Sequence, residues 1–205
     1  YSNYSYLSEV ARSTVGLAPG HNHFATMHLV TLKSGPLFLV DTLINRNLSA
    51  ESLVDISVLA AEKVRCFGLQ PNIALISFSD FGSDDAESSC EARRAVALLH
   101  ERYPDLSVDG EMQIQTALQL AQRDAKYPQN KLKGKQVNVL VFPRLSAANA
   151  CYQLLKAVGN ADEVVGPIQV GLARPIYFAD HDASVKDIVN ITAMASLDSN
   201  ACIVG

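Results

Sequence analysis

No apolar run in the 205 residues is long enough to span a bilayer, which takes about 20 consecutive apolar positions. The first residues also lack the basic-then-apolar pattern of a secretory leader. Cysteine is sparse. Cys66, Cys90, Cys151 and Cys202 stand far apart, with no C-x-x-C pair and no histidine at zinc-finger spacing. Neither a disulfide scaffold nor a structural zinc site is indicated, and reduced, mostly buried thiols are expected. An excess of one charge is missing too. The net charge of −4 gives no broad attraction to nucleic acid or to an anionic membrane, although a compact anion site needs only a few donors. The sequence has no G-x-G-x-x-G after a strand, no Walker loop, no H-E-x-x-H and no G-x-S-x-G, so no recognisable local motif binds NAD or ATP. These absences leave an intracellular, cytoplasmic globular protein as the expectation.

What is present is a chain that is 48% hydrophobic and 19% charged, enough for a real core in one large or two small domains. Strand and helix signals alternate. Leu7, Val10 and Ala11 line one face of a first helix. "FATMHLVTL" and "PLFLVD", joined by "KSG", read as a hairpin. Ser49 is a good N-cap for a helix carrying Leu53, Ile56, Ala60 and Val64, stopped at Gly68. "NIALISFS" and "VNVLVFP" read as buried strands. Helices are expected from about Asp85 to Arg102, from about Glu111 after "LSVDGEM", and over "AANACYQLLKAV". "EVVGPIQVGL" and "PIYFAD" read as strand or extended segments, and Ser184-x-x-Asp187 opens a last helix. The class is therefore α/β with a largely parallel sheet. The chain opens on Tyr1 rather than Met, inside what reads as a helix under way, and is expected to be a piece of something longer.

Several clusters could carry chemistry. "SFSDFGSDD" (77–85) ends a buried strand, where open α/β sheets place ligand loops. Ser77, Ser79, Gly82 and Ser83 could offer donors to an anion, but Asp80, Asp84, Asp85 and Glu87 share the stretch. One carboxylate about 4 Å from a phosphate charge opposes binding by about 4 kcal/mol at an effective dielectric near 20, so helix capping is the blander reading. Asp109 and Glu111 could do acid–base work or cap and open a helix; the second is preferred. His21 and His23 read as a surface loop rather than a metal site. Lys131, Lys133 and Lys135 read as a solvated face. Asp180, His181 and Asp182, just before the Ser184–Asp187 capping box, could be an acid–base pair, a metal site or a solvated turn.

Five blocks together resemble a known family. "ALISFSDFGS", "PDLSVDGEMQIQTAL", "VNVLVFPRLSAANACYQLL", "VGPIQVGLARPI" and "ASVKDIVNITAMA" are similar, in order and spacing, to blocks of the phosphate acetyl/butyryltransferase (phosphotransacetylase) family. The resemblance runs from about Pro19 to Ser196. It implies a three-layer α/β/α, isocitrate/isopropylmalate dehydrogenase-like fold of two lobes with a cleft between them, the first lobe largely missing here. On that reading 1–20 is a remnant of the first lobe, 21–163 the second lobe, and 164–205 a return to the first. The resemblance further implies acyl transfer between coenzyme A and phosphate in the cleft, and assembly as at least a dimer. The same domain also occurs fused behind bacterial malic enzymes as an acetyl-CoA-sensing region, and this chain most resembles that C-terminal domain.

Carried over residue by residue, the resemblance puts the family's catalytic Ser on Asp180, its adjacent Arg on His181 and its small Gly on Asp182, with the later Asp kept as Asp187. Where active members read S-F-S-T-K-G-S, this chain has Asp80 and Phe81 for Thr and Lys. A phosphate-binding Arg expected just before "PG" has no match, because Arg12 is out of register. Acyl and phosphate chemistry need cations aimed at developing negative charge. Arg is a permanent planar fork, and His is a weaker, pH-dependent substitute. The expectation is a truncated, non-catalytic domain that contributes oligomer contacts and part of an acetyl-CoA cleft, with Ser77, Ser79, Gly82, Ser83 and Asn149 as cleft residues. The alternative is an active phosphate acetyl- or butyryltransferase. No metal site and no cofactor are expected within this chain. NADP and a divalent metal would belong to a malic enzyme region outside it. An assembly-only role is the third reading, and an exposed apolar face on the "AANACYQLLKAV" helix would favour it.

Overall fold

The computed structural model describes residues 4–158, 163–179 and 183–201. A first helix, α1 (Tyr4–Val15), precedes a hairpin of β1 (Ala25–Leu32) and β2 (Gly35–Val40). Then come α2 (Ala50–Cys66), β3 (Asn72–Ile76), α3 (Glu87–Arg102) and β4 (Ser107–Met112). Two short helices, α4 (Ile114–Leu118) and α5 (Leu120–Lys126), lead to β5 (Val139–Val141), α6 (Leu145–Val158), β6 (Glu163–Val170) and α7 (Val185–Ala201).

The six strands form one sheet in the order β4-β3-β5-β2-β1-β6. β4, β3, β5 and β2 run parallel, and β1 is antiparallel to both β2 and β6. The segment from Val164 onward thus begins inside β6, a strand hydrogen-bonded to β1. Side chains alternate across the sheet, as the two-residue strand period requires. Phe38, Val40, Ile73, Leu75, Val139 and Val141 pack with α2 and α3 on one face. Leu37, Leu39, Ala74, Ile76 and Leu140 pack with Ala117, Ala148 and Tyr152 on the other. The result is the expected three-layer α/β/α sandwich. Among the described residues no helix is long and apolar enough to cross a membrane.

Helix punctuation follows the sequence closely at α2. The Ser49 side chain accepts from Ser52 N, and Gly68, at φ +72°, closes the far end by donating to Arg65 O at 2.8 Å. Three expectations need correction. The helix placed from Glu111 is instead strand β4, and the helical run starts at Ile114. The loop after β3 does not cap α3 by side chain: its N-cap is Ala86, whose N–H donates to Asp84 Oδ1 at 2.7 Å. The thiols are not mostly buried, since Cys66 and Cys90 are exposed and Cys151 is half-buried; Cys202 lies outside the described residues. Of the two segments read as strand or extended, "EVVGPIQV" is strand β6, while residues 175–179 carry no regular secondary structure.

Candidate functional site

The four parallel strands end at one edge of the sheet, and four loops gather there. The chain leaves β3 through α3 on one face toward β4, and leaves β5 through α6 on the other face. The carboxyl ends of β3 and β5 are therefore a topological switch point, the usual place for a ligand in this class.

Buried Glu111 shapes the loop after β3. Its Oε1 accepts from Ser79 Oγ, Gly82 N and Arg93 Nη1, each at 3.0 Å. Arg93 also donates to Asp84 O at 2.8 Å and to Asp85 Oδ1 at 3.0 Å. Ser77, Ser79 and Ser89 join this cluster through their hydroxyls. Asp109 is turned away from it and accepts from Lys131 N at 2.6 Å. The two carboxylates read from sequence as a helix start thus both lie on strand β4, parted by a register shift after Gly110, one holding the 77–85 loop and the other the 131 turn.

The residues at the family's Thr–Lys positions face inward. Asp80 is buried, accepts from Gln113 N at 2.9 Å, and binds Ser83 Oγ through its own N–H at 3.0 Å. Phe81, at φ +46°, packs its ring on Tyr127 with centroids 4.6 Å apart. The side chain at the Lys position is therefore uncharged, although Lys126 Nζ from α5 comes within 3.9 Å of Asp80 Oδ2.

Three hollows run along this edge. One of about 500 Å³ is lined by Ser77, Phe78, Gln113, Ile114, Phe142 and Arg144. A second of about 510 Å³ is lined by Thr42, Leu43, Arg46, Asn47, Ser146 and Asn149. A third of about 290 Å³, sharing Leu43 with the second, is lined by His28, Tyr152, Gln153, Lys156 and Asp187 among others. Of the expected cleft residues, Ser77 and Asn149 thus face neighbouring hollows, while Ser79 is buried in the Glu111 cluster. Gly82 and Ser83 are exposed on the loop, with Gly82 N tied to Glu111.

In the third hollow His28 is 1% exposed, stacks on Tyr152 at 3.9 Å, and shares a 2.7 Å hydrogen bond between Nδ1 and Thr42 Oγ1. Burial, aided by the nearby Lys156 charge, pushes its pKa down to about 3, so the ring is neutral at pH 7. Asp187 is occupied with a reciprocal cap: it accepts from Ser184 N and Oγ at 2.9 and 2.7 Å, and its own N–H donates to Ser184 Oγ at 3.2 Å. The side-chain bond from Ser184 holds this carboxyl below its usual range. Asp180, His181 and Asp182 lie outside the described residues.

Away from this edge, His21 and His23 fasten their turn to α2 by sharing Asp55, at 2.5 and 3.0 Å. Burial pushes the Asp55 carboxyl up, but the bonds from His21, Asn22 N and His23 outweigh it and leave the group low. Among the described residues no cluster of three or more His, Cys, Asp or Glu could hold a metal ion. Lys131, Lys133 and Lys135 are exposed, with Lys135 Nζ on Ser107 Oγ at 2.9 Å. Sequence reasoning missed Arg46, His28, Arg93, Arg144 and Lys156. None sits in a spacing motif, although a histidine inside the apolar run "FATMHLVTL" is a signal of a buried polar contact.

Residues 2–196 match the family described as phosphate acetyl/butaryl transferase. The chain belongs to that family. It is 40% identical over 190 residues to an NADP-dependent malic enzyme of Escherichia coli, covering 93% of this chain and 25% of that protein. It is 41% identical over 155 residues to a phosphate acetyltransferase of Treponema pallidum, covering 74% of this chain and 46% of that one. The fold superposes on a phosphotransacetylase from Streptococcus pyogenes with a TM-score of 0.87 at 28% identity, over 98% of this chain and 61% of that one. The chain thus spans about a quarter of the malic enzymes and less than half of the Treponema acetyltransferase. The homology covers both types of relative and agrees with the sandwich seen here.

Proposed function

We propose that this chain is a non-catalytic, phosphotransacetylase-type regulatory and oligomerisation domain of a cytoplasmic malic enzyme, with acetyl-CoA as effector. The observation that carries this reading is the 77–85 loop. Phe81 is packed on Tyr127 and Asp80 is buried against Gln113 N, so the loop presents no cation to a phosphate or a developing oxyanion. The kept Asp187 supports the same reading, because its carboxylate is taken up by the Ser184 cap. Ser77 and Asn149 still offer polar groups at the sheet edge to a coenzyme A ester. NADP and a divalent metal would act in a separate malic enzyme region. An effector of this kind acts by binding two states of the assembly with different affinity.

A second reading, an active phosphate acyltransferase, is favoured by the 41% identity to the Treponema enzyme. Assay of the full-length protein separates the two. The expected result is no acetyl-CoA formation from acetyl phosphate and coenzyme A above background, together with a malate oxidation rate that responds to acetyl-CoA. Turnover would establish the second reading. Malate oxidation indifferent to millimolar acetyl-CoA would remove the regulatory one.

A further inference from the structure

We propose that the loops after β2 and β5 form a phosphate-reading site for a nucleotide-type ligand, with Arg46 and Arg144 holding the anionic groups and Phe78 stacking on the ring. This inference rests on the coenzyme A reading above. It deepens that reading by assigning the ligand's anionic end to two arginines outside the catalytic positions that the resemblance supplies.

The two loops are fastened together by their backbones. Leu145 N donates to Arg46 O at 3.2 Å, Leu48 N donates to Pro143 O at 3.1 Å, and Asn47 and Arg144 form an antiparallel bridge. Two guanidinium-bearing residues are thereby placed on adjoining parallel strands' loops at the ligand-binding edge of the sheet. Neither of the two larger hollows has an Asp or Glu in its lining, although the chain as a whole is net acidic. Arg46 makes no ion pair among the described residues. Among the described residues Arg144 pairs with Glu87 alone, at 3.7 Å and with Glu87 87% exposed, a contact of small worth that a phosphate would replace.

Phe78 is 60% exposed at the mouth of the first hollow, beside Ile114 and Arg144. An aromatic face left open next to a guanidinium suits a flat ring that carries phosphates. Hollows of about 500 and 510 Å³ fall in the range of small-molecule sites. The inward-turned Phe81 supplies the complementary reason: with no cation at that position, the charge for an anionic ligand must come from elsewhere on the edge.

Isothermal titration of the full-length protein with adenosine 3′,5′-bisphosphate, inorganic phosphate and acetyl-CoA tests this. The bisphosphate should bind more tightly than inorganic phosphate. Arg46→Gln and Arg144→Gln should each weaken it about tenfold, as expected for loss of a charge-assisted hydrogen bond. Phe78→Ala should weaken the bisphosphate and leave inorganic phosphate unchanged. Lys33→Gln, on the exposed hairpin turn, should change nothing. Arginine variants that keep the wild-type melting temperature and bind within about twofold of wild type would overturn the site. Inorganic phosphate binding as tightly as the bisphosphate would overturn the ligand class. If acetyl-CoA binds without the arginines, the inference falls and the coenzyme A reading stands. If the bisphosphate binds through them and acetyl-CoA does not bind, the reading falls and the site stands. If no probe binds, both fall.

Discussion

Stacked on Tyr152 and bonded to Thr42, the His28 imidazole holds its neutral form down to about pH 3. In the unfolded chain it takes a proton near 6.5. Between those values the unfolded state binds the extra proton, so stability falls as the pH falls, by about 1.4 kcal/mol per unit. Lys156 and Asp187 line the same hollow; the Lys156 charge adds to the effect because it carries the same sign as a protonated ring, and the Asp187 carboxylate is taken up by the Ser184 cap. Urea unfolding should therefore show a loss of about 1.6 kcal/mol between pH 6.5 and 5, above the window in which carboxylates titrate. His28→Phe, which keeps a stacked ring, should flatten that slope. An unchanged slope in the variant would mean that another group carries the dependence. The apolar run around His28 signals burial, but its partners Thr42 and Tyr152 lie 14 and 124 positions on, so the contact itself was hidden in the sequence. Ser77, Asn149 and Asp187 were named from the family blocks, and each lines a hollow at the sheet edge. The inward turn of Asp80 and Phe81 was not legible, since it depends on Tyr127 and Gln113, more than 30 positions away in sequence.

Strand β4 shows where element-level reading succeeds and where it stops. The apolar runs of β3 and β5, the amphipathic stripes of α2 and α3, and the cap at Ser49 follow from local pattern, and the structure has them. "SVDGEM" carries Asp, Gly and Glu, all poor strand formers, and reads as a helix start. Its strand character comes from pairing with β3 and from hydrogen-bond partners for both carboxylates. Gly110 is the position on which that pairing turns. It sits at φ +145°, opposite Leu75, and a Cβ there would lie 2.6 Å from Leu75 O. Gly110→Ala therefore meets both an unfavourable backbone region and a backbone oxygen that cannot move aside. The expected cost is about 2 kcal/mol or more, read as a lower urea midpoint. A second consequence is a loosened 77–85 loop, because Glu111 is the next residue. A midpoint equal to wild type would show that β4 can shift without losing its register.

At the scale of the whole molecule, the described surface carries apolar side chains that the sandwich does not cover. On α6, Leu154 and Val158 are 63% and 61% exposed, and on α7 Val185 and Val189 are 79% and 59% exposed. Both helices also border the His28 hollow, through Tyr152 and Lys156 from one and Asp187 from the other. Each exposed apolar group left in water forgoes about 25 cal/mol per Å² of burial. A second copy of the chain is the partner that the family resemblance supplies, and a two-fold interface would cover the same face on both copies. A stable interface of that kind removes roughly 800 Å² from each partner, more than two side chains provide, so both helices would have to take part. Sedimentation velocity on the purified protein should then give a dimer or larger species. Leu154→Asp combined with Val189→Asp should shift it toward monomer while leaving the far-UV circular dichroism unchanged, since neither side chain belongs to the buried core. A wild-type monomer at high protein concentration would remove self-association. A dimer indifferent to both substitutions would move the interface to another face.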